Sequence, residues 1–139
     1  MAVFIAEVKL YTDGGCLGNP GPGAIGVLIR NSDGNELHSH KECIGSTTSN
    51  RAEYRALIKG LDLCAKFTRG RVICHSDSQL IVNQMNEVWR LKDDKLRTLW
   101  HEVKDLERPF REVVYQKVRK TNQVIKKVDQ LVNQAFEGR

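Results

Sequence analysis

Residues 11–23 of the chain are Tyr-Thr-Asp-Gly-Gly-Cys-Leu-Gly-Asn-Pro-Gly-Pro-Gly. Before this stretch, apolar and polar residues alternate from Ala6 to Tyr11, and a period of two predicts a strand. Five of the chain's eleven glycines follow Asp13 within ten residues. Because glycine permits tight backbone geometry, we predict that Asp13 lies at a strand end and that a turn begins directly after it.

The length and charge of the chain limit what it can be. At 139 residues it fits one domain, 1–139, with a buried core. Lys and Arg total 22 against 17 Asp and Glu, which gives a net charge of +5. This balance favours an anionic partner.

The cysteines and the amino terminus bear on the compartment. The four cysteines form no Cys-x-x-Cys pair and have no histidine at zinc spacing, so we predict free thiols in a reducing compartment. The first residues lack a basic start, and no apolar run reaches the length of a membrane span. We expect a cytoplasmic, free-standing monomer that needs no membrane and no obligate protein partner.

Three strands are predicted in the first third of the chain. The apolar run 25–30 follows the glycine stretch, and residues 31–35 are a turn cluster suited to a hairpin. Residues 36–44 form a third strand with poorer alternation. Short connections between these strands predict an antiparallel meander.

A helix is predicted over 50–67, where apolar residues fall at helical spacing. Either Ser49 or Asn50 is suited to cap it, which puts Glu53 in the first turn, near the end of the meander. A glutamate at this position also has a structural explanation, because it complements the helix dipole or closes a capping box.

The predicted strand 71–76 begins after Gly70, which we expect to end the helix, and Asp77 follows this strand as Asp13 follows the first. A second helix starts at Ser78. A strand between two helices predicts a parallel crossover, which joins this strand to the meander in one mixed sheet.

The last third of the chain alternates helix, strand and helix. A linker over 86–92, which contains Trp89, leads to a third helix capped by Asp93 or Asp94. A fifth strand over 113–118 and a basic loop over 119–122 precede the final helix, 124–136. Asp129 lies at the margin of the apolar stripe of that helix, where an acid is often a boundary residue that reaches water.

The four acids Asp13, Glu53, Asp77 and Asp129 can converge at one rim of the sheet, because helices packed on a sheet bring their near turns to strand ends. Ionised carboxylates a few ångströms apart repel one another, so they share protons or hold divalent metal. Oxygen-only ligands favour hard ions such as Mg²⁺ or Mn²⁺. Two such ions about 3.5 to 4 Å apart promote phosphodiester cleavage, which accounts for an acidic site in a basic protein.

The order of these motifs resembles that of type 1 ribonuclease H. The motifs are residues 11–23, Thr-Thr-Ser-Asn-Arg-Ala-Glu-Tyr at 47–54, Ser-Asp-Ser-Gln-Leu at 76–80 and Asp-Gln-Leu-Val-Asn-Gln-Ala at 129–135. The resemblance covers essentially the whole chain. It implies an α/β fold in which strands 1–3 form an antiparallel meander, strands 4 and 5 run parallel, and helices cover the sheet.

The resemblance also implies an activity and its cofactor. It implies an endonuclease that hydrolyses the RNA strand of RNA/DNA hybrids with two Mg²⁺ ions, which Mn²⁺ can replace, and leaves a 5′-phosphate and a 3′-hydroxyl. By position, Asp13, Glu53, Asp77 and Asp129 match the family's metal-binding acids, with Asp13 shared by both ions.

The resemblance implies substrate contacts as well. Thr48 matches a residue that binds a DNA-strand phosphate. Five other positions match residues that contact the minor groove, where 2′-hydroxyls distinguish RNA from DNA: Cys16, Asn19, Ser49, Asn50 and Gln79.

The chain departs from the family pattern at two places. Residues 119–127 contain no histidine, so Lys120 or Asn122 is the candidate for its role, and the spacing from Asn122 to Asp129 is longer than is common. Glu137 is the only other acid nearby. The family's basic protrusion is also missing, and we expect hybrid binding to rely on four cations instead: Arg90, Lys92, Lys95 and Arg97.

Two other functions remain open at this point. One is a module that binds hybrids or double-stranded RNA without catalysis, although the presence of all four acids speaks against it. The other is a DNA-directed nuclease or a piece of a polymerase polyprotein. Cleavage of hybrid, DNA and RNA duplexes with and without Mg²⁺ separates these possibilities.

Overall fold

Strands precede and separate the helices in the computed structural model, which describes residues 3–88 and 90–138. Trp89, predicted to lie in the linker, is outside the described residues. The elements are β1 Ile5–Cys16, β2 Gly21–Asn31, β3 Glu36–Thr47, α1 Ser49–Cys64, β4 Thr68–Ser76, α2 Gln79–Met85, α3 Asp94–Leu106, β5 Glu112–Lys117 and α4 Gln123–Glu137. Within 3–88 and 90–138, no helix has the length and apolar character that a membrane crossing requires.

The five strands form one sheet in the order β3-β2-β1-β4-β5. β2 pairs antiparallel with both β1 and β3, whereas β4 pairs parallel with both β1 and β5. The predicted mixed sheet with an antiparallel meander is therefore confirmed. The carboxyl ends of β1 and β4 lie side by side, which places the residues after them at one edge of the sheet.

The two faces of the sheet are covered by different helices. Successive side chains of a strand face opposite ways, so Leu10 joins a large core with α1, α2 and α3, while Tyr11 packs against α4. The fully buried members of the large core include Val8, Leu10, Val27, Ile29, Tyr54, Leu61, Val72 and Val103. α1 and α4 therefore lie on opposite faces of the sheet.

The prediction that Asp13 ends a strand is wrong in one respect. β1 continues to Cys16, because Gly14, Gly15 and Cys16 pair with residues 23–25 of β2, and the turn begins only at Leu17. Parallel pairing with β4 nevertheless stops earlier, at Tyr11 opposite His75. Asp13 thus lies beyond the β1–β4 pairing although it is inside the strand, and Asp77 lies directly after β4.

The predicted start of α1 is also wrong. Thr48 is the N-cap, since its hydroxyl accepts a hydrogen bond from the Arg51 N–H at 3.3 Å. Ser49 and Asn50 belong to the helix, and Glu53 lies just past its first turn. A capping box does not explain Glu53, because its carboxylate accepts a hydrogen bond from the Gly14 N–H.

Gly70 does not end the helix as predicted. α1 stops at Cys64, and β4 already begins at Thr68, so Gly70 is a strand residue. A Cβ atom at this position would lie 2.1 Å from the Ala6 carbonyl oxygen. Glycine is therefore required there for the close approach of two backbones.

Two other glycines set the distance between the sheet and the helices. A Cβ on Gly14 would lie 2.3 Å from the Ala52 carbonyl oxygen, and one on Gly26 would lie 2.8 Å from the Val128 carbonyl oxygen. Gly26 is also the β2 residue that pairs with Asp13. Ala52 and Val128 immediately precede Glu53 and Asp129, so the two contacts bring both helical acids towards Asp13.

Because α1 lies close to β1, we predict that Gly14→Ala lowers the free energy of unfolding. The methyl group meets backbone atoms that cannot rotate away, so we expect a loss of about 1–3 kcal/mol in the free energy of unfolding, measured by urea denaturation. Gly15→Ala is the matched control, because a Cβ there has no neighbour within 4 Å. Equal losses for the two variants would contradict the assigned role of Gly14.

Candidate metal centre

An open cleft of about 800 Å³ lies at the edge of the sheet where β1 and β4 end. The segment from Gly14 to Leu17 and the start of α1 border it on one side, and α4 borders it on the other. All four predicted acids line this cleft: Asp13, Glu53, Asp77 and Asp129. The structure therefore brings together residues that are far apart in the sequence.

Three of the acids form a compact cluster. Asp13, Glu53 and Asp77 each offer a carboxylate oxygen, and these three oxygens lie within 4.8 Å of one another. Asp129 is outside this cluster; it is exposed on α4 and accepts a hydrogen bond from the Asn133 amide at 3.4 Å. The fourth acid thus lines the same cleft from a more exposed position.

A single backbone N–H group holds two of the carboxylates. Gly14 N–H lies 3.0 Å from Asp13 Oδ1 and 2.6 Å from Glu53 Oε1, and it donates to both. Because Gly14 has no side chain, α1 comes close enough for Glu53 to reach this donor. The hydrogen bonds favour the ionised carboxylates, but they oppose a larger effect of burial and repulsion.

Burial and mutual repulsion change the acidity of the cluster. Burial, followed by the nearby charge of Asp77, raises the pKa of Asp13 to about 7. Burial and the charge of Asp13 likewise raise the pKa of Glu53 well above its ordinary value. These carboxylates are therefore costly to ionise unless a cation compensates them.

The donor set fits a hard divalent cation. The cluster provides only carboxylate oxygens, which are the ligands that Mg²⁺ and Mn²⁺ prefer. A bound cation would compensate the buried charges whose burial and mutual repulsion raise both pKa values. Neither the cysteines nor the histidines of the described residues join this cluster, so a soft thiolate site is not formed there.

The predicted substrate residues gather around the same cleft, with one exception. Cys16, Ser49 and Asn50 line it, and Asn19 Oδ1 accepts a hydrogen bond from the Ser49 N–H at 3.1 Å. Asn19, Thr48 and Asn50 line an adjoining pocket of about 380 Å³. Gln79 is exposed at the start of α2 and is not among the residues that line either one.

The structure separates the two candidates for the missing histidine. Lys120 lines the cleft, whereas Asn122 does not. The Asn122 side-chain oxygen accepts from the N–H groups of Val124 and Ile125 at 2.9 and 3.0 Å, which makes Asn122 the N-cap of α4. Glu137, near the end of α4, does not line the cleft either, so Asp129 is the α4 acid at the site.

Several cleft residues were not predicted from the sequence. Lys126, Gln130 and Asn133 lie on the face of α4 that carries Asp129. Lys126 is three residues before Asp129 and Asn133 is four after it, and this helical spacing would have identified both. Gln130 is likewise four residues after Lys126 and three before Asn133. The role of the Gly14 N–H leaves no comparable pattern, because a backbone donor has no residue-type preference.

Comparisons with known proteins identify a matching family and similar solved structures. A family model described as "Reverse transcriptase-like" matches residues 11–135. The RNase H1 of the halophilic archaeon Halobacterium salinarum superposes with a TM-score of 0.90 at 32% identity, covering 96% of this chain and 99% of that one. LC11-RNase H1, solved in complex with an RNA/DNA hybrid, superposes with a TM-score of 0.86 at 34% identity, covering 94% of this chain and 97% of that one.

The first curated relatives are much longer than this chain. A bifunctional protein of Mycobacterium tuberculosis, Rv2228c, is 35% identical over 133 residues, which is 95% of this chain and 36% of the relative. The chain therefore spans about a third of the length of the first curated relatives that it matches.

The raised pKa of Asp13 predicts that its carboxylate lowers the stability of the metal-free protein as the pH rises. An acid whose pKa rises from 3.8 to about 7 on folding destabilises the fold increasingly between those pH values. In EDTA, Asp13→Asn should therefore raise the melting temperature at pH 8 by a few degrees, and the gain should shrink towards pH 4. Adding Mg²⁺ should narrow the difference at pH 8, because the cation binds the ionised carboxylate.

Asp62→Asn is the control for this measurement, since Asp62 is an exposed α1 residue outside the cleft. It should leave the melting temperature nearly unchanged at both pH values. A lower melting temperature for Asp13→Asn at pH 8 in EDTA would show that its carboxylate does not oppose folding.

Proposed function

Because the chain belongs to the type 1 ribonuclease H family, we propose that it is an endonuclease that hydrolyses the RNA strand of RNA/DNA hybrids. The observation that supports this most directly is the cluster of Asp13, Glu53 and Asp77 in an open cleft. The hybrid bound to the similar LC11-RNase H1 supports the choice of substrate.

The proposed cofactor is a pair of Mg²⁺ ions, for which Mn²⁺ is a substitute. Asp13, Glu53, Asp77 and Asp129 would hold them, with Asp13 shared, and the products would carry a 5′-phosphate and a 3′-hydroxyl. When bound, two such ions activate a water molecule and stabilise the leaving oxygen. Asp13 suits the shared position because the other three acids, Asp77, Glu53 and Asp129, all influence its pKa.

The protein's own part is to fix the geometry of these carboxylates. Gly14 N–H orients Asp13 and Glu53 together, and the ends of β1 and β4 place Asp13 beside Asp77. Asp129 approaches from the opposite face of the sheet on α4. Because all four acids come from one chain, we propose that a monomer with a single domain, 1–139, is sufficient for activity.

The proposed minor-groove contacts are Cys16, Asn19, Ser49, Asn50 and Gln79. The hydrogen bond from Ser49 N–H to Asn19 fixes the turn against α1, so four of these residues present one surface. Gln79 would extend this surface along α2. Preorganised polar groups of this kind suit recognition of 2′-hydroxyls.

Thr48 is proposed to bind a phosphate of the DNA strand. Its hydroxyl oxygen accepts hydrogen bonds from Arg51 N–H at 3.3 Å and from Arg51 Nε at 3.2 Å. The hydroxyl hydrogen therefore remains available to a phosphate oxygen, and the Arg51 guanidinium adds positive charge beside it.

The proposed compartment is the cytoplasm. All four cysteines are free thiols, and Cys16 and Cys43 are accessible to solvent in part or in full. Accessible unpaired thiols are usual in a reducing environment.

Replacing Asp77 by Asn is predicted to abolish cleavage. The change keeps the shape of the side chain and removes one charge of the cluster, so Mg²⁺-dependent hydrolysis should fall by about 10³-fold or more. The assay measures cutting of a labelled RNA/DNA hybrid, with DNA and RNA duplexes of the same sequence alongside. Circular dichroism should show an unchanged fold, and Asp62→Asn should cut normally.

The same panel distinguishes the alternatives. Hybrid binding by the wild type without any cleavage would identify a binding module, and cleavage of the DNA duplex would identify a DNA-directed nuclease. Either result would reject the proposed function.

Asp129→Asn is predicted to affect metal binding less than Asp77→Asn. Asp129 is exposed and outside the compact cluster, so its loss should leave one Mn²⁺ site nearly intact while cleavage still falls. Calorimetric titration with Mn²⁺ would measure both variants. A larger loss of Mn²⁺ affinity in Asp129→Asn would contradict this arrangement of the acids.

A further inference from the structure

A strongly basic patch lies beside the cleft, where β5 leads into α4. It consists of Lys117 at the end of β5, Arg119 and Lys120 in the connecting loop, and Lys126 and Lys127 in the first turns of α4. All five side chains are exposed. We call these residues the β5–α4 patch.

The β5–α4 patch contains no neutralising acid. No Asp or Glu occurs from residue 113 to residue 128. Among residues 3–88 and 90–138, every ion pair within 4 Å involves other cations than these five. Among the described residues, none of the five cations is therefore neutralised by a direct ion pair, although the acids of the cleft lie near Lys120 and Lys126.

The net charge of the whole chain equals the charge of this patch. Of the 22 Lys and Arg residues, five are in the β5–α4 patch, and the remaining 17 balance the 17 Asp and Glu residues. Five positive charges therefore lie within residues 117–127, with no acid among them. Concentrated charge of one sign attracts an extended polyanion more strongly than the same charge spread over the molecule.

The segment that we expected to bind hybrid from its sequence is nearly neutral by comparison. Between residues 87 and 97, four cations are accompanied by three acids, Glu87, Asp93 and Asp94. Arg97 is paired with Asp94 at 3.2 Å. The prediction for Arg90, Lys92, Lys95 and Arg97 stays untested, but the structure offers a stronger cationic surface elsewhere.

The β5–α4 patch is continuous with the acidic cleft. Lys120 and Lys126 line the cleft together with the four acids, and the other three cations, which are close to these two in sequence, do not line it. Four of the proposed minor-groove residues, all except Gln79, lie on the side of α1 and the glycine-rich turn. A strand positioned over the acids therefore has phosphates on the α4 side as well.

We propose that the β5–α4 patch binds the phosphates of the nucleic-acid strand where it leaves the acidic cleft on the α4 side. The inference rests on the proposed function, since it takes the strand over the acids to be part of a hybrid. Lysine and arginine at the surface bind successive phosphates chiefly through charge and release counterions, so this contact adds affinity without sequence preference.

The test is hybrid binding by a variant that loses only the outer part of the patch. Lys117→Gln, Arg119→Gln and Lys127→Gln are combined, because none of these residues lines the cleft. Fluorescence anisotropy with a labelled RNA/DNA hybrid in EDTA measures affinity over a range of salt concentrations. We expect affinity to fall about tenfold or more at low salt, and the slope of log K against log salt to become less negative by about 2 to 3.

The matched control removes three charges at the opposite edge of the sheet. Lys66→Gln, Arg108→Gln and Arg111→Gln are combined, because these exposed residues follow α1, follow α3 and precede β5. This variant has the same net charge as the patch variant and should keep nearly the wild-type affinity and salt slope. Equal losses in the two variants would overturn the proposal, because they would reflect net charge alone.

Two further arms separate the possible failures. If the wild type neither binds nor cuts the hybrid in Mg²⁺, the proposed function fails. If it does both and the patch variant binds as the wild type does, only the present inference fails. The second arm measures binding to vesicles of anionic phospholipid. If the patch variant loses this binding while its hybrid binding is unchanged, the β5–α4 patch binds a membrane surface and the proposal is overturned.

Discussion

The constraint on which the structure depends is the mutual repulsion of Asp13, Glu53 and Asp77, whose carboxylate oxygens lie within 4.8 Å of one another. The fold opposes this repulsion with rigid backbone contacts. The sheet fixes Asp13 beside Asp77, while glycines at positions 14 and 26 let the backbones of α1 and α4 rest on the sheet. Burial and then the charge of Asp77 raise the pKa of Asp13, and a bound cation would compensate the buried negative charge.

The mixed sheet and the positions of the acids were predictable because they follow from local patterns. Alternating residues identify strands, helical spacing identifies helices, and an acid directly after a strand, such as Asp77, belongs at the sheet edge. The ends of elements were less predictable. Residues 48–50 are all competent N-caps, and only the extension of β3 to Thr47 makes Thr48 the cap. β1 passes through Gly14 and Gly15 because strand pairing uses backbone groups, which residue type does not reveal.

What the sequence did not reveal depends on tertiary contacts. The Gly14 N–H binds Glu53 across 39 positions of sequence, and nothing near either residue indicates this hydrogen bond. The β5–α4 patch illustrates a related difficulty. Its cations are visible in the sequence, but their importance depends on which of the chain's acids lie nearby and on the placement of Lys120 and Lys126 in the cleft. A pattern of charges in the sequence indicates a function only once the fold shows which charges are paired and which are not.

The hydrogen bond from Ser49 N–H to Asn19 has a consequence for how the two ligands of the site act on each other. It connects the glycine-rich turn to the first residue of the helix that carries Glu53. A displacement of the turn by a bound strand would therefore shift the first residue of α1, and a shift of α1 would act back on the turn. If the proposed metal ions and hybrid both bind here, any coupling that this contact gives between them is reciprocal, so each changes the affinity of the other by the same factor.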